Sequence, residues 1–207
     1  MARLVLLLLL LTAPVQAWAG DLVLVVKDGS GRPVRDAVVT VYPALGAPKG
    51  PIRFAWPLVV AQQNIQFDPF VLVVPVGASV LFPNRDKVQH HVYSFSAGNK
   101  FELKLFGKDE TRSVVFKAPG VAAIGCNIHD QMVGFVKVVD TPFAIKTGAD
   151  GVATLSGLPG GAATVRVWHP YLRAPKNEIS RTVSLGAGVL REAATVDIRA
   201  PAMGHMH

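Results

Sequence analysis

Residues 125–132 read Gly125-Cys126-Asn127-Ile128-His129-Asp130-Gln131-Met132, and residues 83–93 upstream read Pro83-Asn84-Arg85-Asp86-Lys87-Val88-Gln89-His90-His91-Val92-Tyr93. The first stretch is a C-x2-H-x2-M loop held between two apolar runs, 121–124 and 135–139. The second leads into another run, 88–95. Alternating apolar positions rich in β-branched residues mark half-buried strands. Loop and strand together therefore offer a thiolate, imidazoles and a thioether at a sheet edge.

The same alternation continues on both sides of this region. Strands are expected over 22–27, 37–42, 71–76, 79–83, 88–95, 101–105, 113–117, 121–124 and 135–139, then over 152–155, 163–168, 179–185 and 194–198. Turn signals separate them, among them Asp28-Gly29-Ser30-Gly31, Pro119-Gly120, Asp150-Gly151 and Pro159-Gly160-Gly161. No long stripe of helical period competes, so the chain reads as all-β, built of sandwiches. Its 207 residues are half apolar and 17% charged, which places it among packed domains rather than disordered chains. A single cysteine excludes an internal disulfide framework, a four-cysteine zinc site and an iron–sulfur cluster held by this chain alone.

Residues 1–19 read as an export signal. Arg3 gives the positive start, the run 4–11 the apolar centre and Ala17-Trp18-Ala19 the small-residue cleavage pattern, for a mature start at Gly20. The apolar run is shorter than the roughly 20 residues a spanning helix needs. The expected location is the periplasm, where one unpaired thiol must be buried or metal-bound to escape oxidation. The formal charge of +7 sits mostly outside residues 61–140, and no basic stripe with interleaved aromatics occurs, so nucleic acid is not an expected partner.

Thiolate, imidazole and thioether together define a particular metal chemistry. A trigonal His₂Cys plane with a weak axial Met is the donor set of a blue-copper electron-transfer site. Imidazole suits Cu(II), sulfur suits Cu(I), and a mixed set lets both states share one geometry. Cys126 taken alone reads as a buried small hydrophobe and Met132 as a gap filler. Structural zinc rarely uses Met, and His129 three residues from Cys126 in a tight loop is poorly placed as the base for a cysteine nucleophile. Strand alternation puts only one of His90 and His91 on an inward face.

Residues 61–140 resemble the cupredoxins of the plastocyanin/amicyanin group. The matching stretches are Phe67-Asp68-Pro69, Val74-Pro75-Val76-Gly77, Val80-Leu81-Phe82, Asn84-x5-His90 and the Cys126 loop, whose spacing is the amicyanin one. The chain also resembles the periplasmic methylamine-utilisation-like proteins. The resemblance implies one mononuclear type 1 copper, with His90, Cys126, His129 and Met132 as ligands. It implies Asn84 as a neighbour that ties the two ligand segments together by hydrogen bonds near the thiolate. His91 stands where the family usually has Asn and is expected as a neighbour of the site, either facing solvent or responding there to protons, and Asp130 stands where the family often has Pro. The ends of the chain, 22–42 and 147–170, resemble the two halves of a carboxypeptidase-regulatory-like, prealbumin-like sandwich. The expected division is thus a discontinuous sandwich of 20–60 with 141–200, a copper domain of 61–140 carried within it, and a tail at 201–207.

The resulting expectation is a periplasmic carrier of single electrons between redox proteins, a cytochrome or a dehydrogenase, with no catalytic residue and no membrane span. Docking is expected through an apolar patch around His129, with Gly134, Phe135 and Phe106 as candidate contributors. The alternative is a copper carrier or chaperone without redox turnover, to which Met203, His205, Met206 and His207 would add soft ligands. An oxidase or reductase would need further copper centres, and no His-Cys-His bridge is present. Trp168 is expected in a core and His169 at a surface.

Overall fold

The computed structural model describes residues 19–199, so both the leader up to Trp18 and the Met/His tail lie outside the described residues. The strands are β1 (Ala19–Asp28), β2 (Val38–Pro43), β3 (Ala61–Gln63), β4 (Gln66–Asp68), β5 (Val71–Pro75), β6 (Ser79–Pro83), β7 (His90–Ser94) and β8 (Phe101–Phe106). They continue as β9 (Thr111–Val115), β10 (Gly120–Cys126), β11 (Val133–Val139), β12 (Ala144–Lys146), β13 (Val152–Pro159), β14 (Gly161–Trp168), β15 (Glu178–Leu185) and β16 (Gly188–Val196). Among the described residues the one helical element is the short turn Pro175–Asn177.

Sheet pairing sorts these strands into two sandwiches. One has the orders β13-β1-β16 and β12-β2-β14-β15, so strands from both ends of the chain share its sheets. The other has the five-stranded order β5-β11-β10-β7-β8 with the pairs β6-β9 and β3-β4. Pairing is antiparallel except for β1 with β16 and β5 with β11. Each sandwich has its own core. Leu22, Leu24 and Val26 of β1 point inward at every second position and meet Val39, Val41, Val165 and Val167. Val74, Val80, Phe82, Val92, Phe116 and Val136 fill the other.

Strands whose apolar residues run without alternation lie where the sandwiches meet. In β5 (VLVVP) every residue is buried: Leu72 and Val74 face the core of their own sandwich, while Val71 and Val73 face the junction. There they join Val38 of β2, Val139 of β11, Ala144 and Trp168. A continuous apolar run thus signals a strand buried on both faces, and an apolar junction of this kind holds the two units in one arrangement. The turn at Asp150-Gly151 is fixed by backbone geometry. Gly151 has φ +71, and a Cβ there would come 2.5 Å from the Val26 carbonyl oxygen and 3.0 Å from Pro33 Cβ.

Three short strands, β3, β4 and β12, carry too little alternation to be read from the sequence. The turn joining β3 to β4 is Asn64-Ile65, both at φ +57. That conformation normally selects Asn-Gly, and Ile at the second position conceals it. His169, expected at a surface, is buried at 7% exposure, while Trp168 is core as expected. The imidazole is enclosed because its Nδ1 accepts the Tyr171 N–H at 3.2 Å and its ring lies against the Tyr171 ring.

Candidate metal centre

His90 opens β7 and Cys126 closes β10, and these strands are neighbours in the five-stranded sheet. The ladder pairs Cys126 with Val92 and Gly125 with Tyr93, and the Asn127 N–H donates to the His91 carbonyl at 3.0 Å. Two residues distant in sequence are thereby set side by side by backbone bonds alone. Alternation along β7 turns His90 fully inward, whereas His91 is half-buried with its Nε2 2.9 Å from Glu102 Oε1 on β8. The loop after Cys126 is closed by the Met132 N–H donating to the His129 carbonyl at 2.9 Å, after which β11 begins.

Cys126 Sγ lies 3.7 Å from His90 Nδ1 and 3.6 Å from His129 Nδ1. The three ligand atoms all fall within 4.8 Å of one another. A metal at about 2.3 Å from sulfur and about 2.0 Å from nitrogen in a trigonal plane requires a sulfur–nitrogen edge of about 3.7 Å. Both sulfur–nitrogen edges match that figure, and the three atoms lie close enough together to form a mononuclear site. His90 and Cys126 are buried and His129 is half-buried, which makes His129 the ligand on the solvent side. Met132 is 1% exposed and belongs to the same buried apolar cluster as Cys126.

A carboxylate that sequence reading passed over holds His90 in place. Asp86 Oδ2 lies 2.9 Å from His90 Nε2. The same carboxylate accepts the N–H of Asn64 at 2.7 Å and that of Ile65 at 3.0 Å, both from the strained β3–β4 turn. With Nε2 donating to Asp86, the lone pair of Nδ1 is left facing Cys126, which is the tautomer a metal requires. Burial alone would raise the Asp86 carboxyl, but the Ile65 and Asn64 N–H groups and the His90 ring outweigh it and hold the carboxyl below its ordinary value. Burial pushes the His90 imidazole down, and His129 adds to this while Asp86 opposes it. Burial thus favours the neutral imidazole, the form that can act as a ligand. In the sequence Asp86 stands in an irregular segment, where a spacing of four carries no geometric meaning.

Asn84 is also buried. Its side-chain amide donates to the carbonyls of Val88 at 2.8 Å and Phe106 at 3.1 Å, and its side-chain oxygen accepts the Asp86 N–H. These bonds organise the approach to His90 and the end of β8. The two ligand segments are joined by backbone bonds, the β7–β10 ladder and the bond from Asn127 to His91. The expected docking residues are placed elsewhere: Phe106 is 1% exposed, Gly134 is buried under Ile124 and Phe67, and Phe135 packs edge-on against Phe70 and Trp168 at the junction. Val88, just before β7, and Ile128, in the loop after Cys126, are exposed apolar residues beside His90 and His129 in the chain, and Leu105 is exposed on the neighbouring β8.

The donor set and its dimensions define the class: an all-β protein whose His90, Cys126 and His129 lie close enough to form a mononuclear copper site. No protein-family model matches the chain, and no curated protein does. Among solved structures, a single-substitution variant of amicyanin in its reduced form is similar at 24% identity and a TM-score of 0.37, over 50% of this chain and 99% of that one. The copper-containing nitrite reductase of Thermus scotoductus SA-01 is similar at 24% identity and a TM-score of 0.39, over 57% of this chain and 28% of that one. A reduced Cu(I) form of another amicyanin variant at pH 4 gives 24% identity and a TM-score of 0.37 over the same shares.

Proposed function

We propose that this protein is a periplasmic type 1 copper protein of the cupredoxin kind, which passes single electrons between redox proteins such as a cytochrome and a dehydrogenase. His90, Cys126, His129 and Met132 would hold the copper, Met132 as the weak fourth donor. The copper domain, 61–140, is carried in a loop of the discontinuous sandwich formed by 20–60 and 141–200. The observation that supports this reading most strongly is the grouping of Cys126 Sγ, His90 Nδ1 and His129 Nδ1, with both sulfur–nitrogen edges at metal-binding dimensions.

Copper bound there supplies a one-electron couple. The chain's own contribution is to hold the donors still. Ladder bonds fix Cys126 against β7, Asp86 fixes the His90 ring, and the bond from Met132 to His129 fixes the loop. Burial of His90, Cys126 and Met132 excludes water from most of the coordination sphere. Rigid, dry donors keep the rearrangement between oxidation states small, which favours electron transfer over bond chemistry. Half-buried His129 provides the exit toward a partner, and exposed Val88, Leu105 and Ile128 offer an apolar surface beside the ligand segments. The absence of a dense single-sign field in 61–140 supports docking by apolar contact more than by charge steering. Among the described residues no helix is long and apolar enough to cross a membrane.

Voltammetry of the copper-loaded protein tests the reading. A reversible one-electron couple with the metal retained in both states is expected. Loss of copper on reduction contradicts it and favours the carrier or chaperone.

A further inference from the structure

A second concave site lies between the two sandwiches, apart from the metal centre. This cleft has a volume of about 580 Å³ and is walled by β10 and β11 on one side and by β2, β14 and the segment 170–178 on the other. Its apolar wall is made of Val121, Phe135 and Pro170. Its polar wall carries Lys137, Arg166 and Lys176 against Glu178 and Asp140, an excess of positive charge.

The charges are unequally satisfied. Glu178 alone serves two cations: Lys137 Nζ at 3.1 Å from Oε2, and Arg166 Nη1 at 3.7 Å from Oε1. Asp140 is taken by the Tyr42 hydroxyl, which donates to it at 2.8 Å, and the Arg166 guanidinium lies over the Tyr42 ring at 4.6 Å. Lys176 lines the cleft and makes no ion pair among the described residues. Its backbone is held at φ +57, and Asn177 follows at φ +55, a conformation disfavoured for residues with side chains. The Asn177 amide fixes this turn by donating to the Pro170 and Leu172 carbonyls. This turn places the Lys176 ammonium at the edge of a cleft between two sandwiches, the kind of place where ligand pockets form.

We propose that this cleft binds a small organic carboxylate with a planar apolar body. The carboxylate would sit between Arg166 and Lys176, and the apolar body would lie along Val121, Phe135 and Pro170. Neither part depends on copper in the other site, so the inference stands or falls independently of the redox reading.

The test is an NMR titration of the purified full chain with benzoate, benzamide and inorganic phosphate. Saturable binding of benzoate is expected, with amide shifts centred on Phe135, Lys137, Arg166 and Glu178. Benzamide, which lacks the charge, and phosphate, which lacks the apolar body, should bind more weakly. The double variant Arg166→Gln, Lys176→Gln should weaken benzoate by about tenfold or more, the scale of a lost charge-assisted hydrogen bond. Absence of saturable benzoate binding overturns the proposal. So do equal binding of benzamide or phosphate, shifts located elsewhere, or unchanged affinity in the double variant.

Discussion

Replacing Asp86 tests how His90, one corner of the proposed copper site, is held. The carboxylate accepts three N–H groups: Asn64 on Oδ1, and Ile65 and His90 on Oδ2. In Asp86→Asn the side-chain oxygen can keep Ile65 and His90, but its NH₂ then faces the Asn64 N–H. One donor is stranded and the negative charge is gone, a cost of about 1–3 kcal/mol. In Asp86→Ala all three donors lose their acceptor, and the cost is larger, about 3 kcal/mol or more. At the metal, a lost partner of a ligand imidazole typically weakens binding by about 10–100-fold. Urea denaturation of the metal-free protein reads the first effect, and copper affinity by competition with a chelator reads the second. Stability and affinity should both fall, with Ala worse than Asn, while the thiolate–copper absorption persists because Cys126 is untouched. Unchanged copper affinity in both variants would refute the role assigned to Asp86.

Other consequences are equally open to measurement. Burial pushes the His169 imidazole down to about 4, with Asp36 and the backbone at Arg35 opposing. Because the unfolded chain takes up this proton first, stability should fall as pH drops from about 6.5 to about 4 and level off below. The full loss is about 3 kcal/mol, and His169→Gln should flatten that part of the profile in denaturation curves. Gly151→Ala places a Cβ against the Val26 carbonyl at positive φ and should cost about 2 kcal/mol or more in thermal unfolding. Met132→Leu should keep the intense visible absorption of copper-loaded protein but shift its reduction potential. An identical potential would remove Met132 from the coordination sphere.

Much of the architecture is legible in the sequence because sheet burial writes itself as period two. Leu22, Leu24 and Val26 alternate inward, and the unbroken run Val71–Val74 marks the strand covered on both faces. The three candidate ligand atoms brought together here are also legible, since Cys126 and His129 share a short loop and alternation admits only one of His90 and His91. What supports them is less visible. Asp86 reaches His90 across an irregular segment, and the turn that grips it, Asn64-Ile65, has a β-branched residue where the conformation favours glycine. The residues expected to flank His129 lie elsewhere for a related reason. An apolar residue near a ligand in sequence, such as Phe106 or Phe135, is as readily core or junction as surface, and only its strand's neighbours decide which.

The most direct measurement is absorption spectroscopy during titration of the metal-free protein with Cu(II), run beside the variant Cys126→Ser. One equivalent of copper should generate an intense visible thiolate-to-copper band that is absent from the variant. A colourless complex, or a band that survives removal of the thiolate, would contradict a copper centre built on Cys126, His90 and His129.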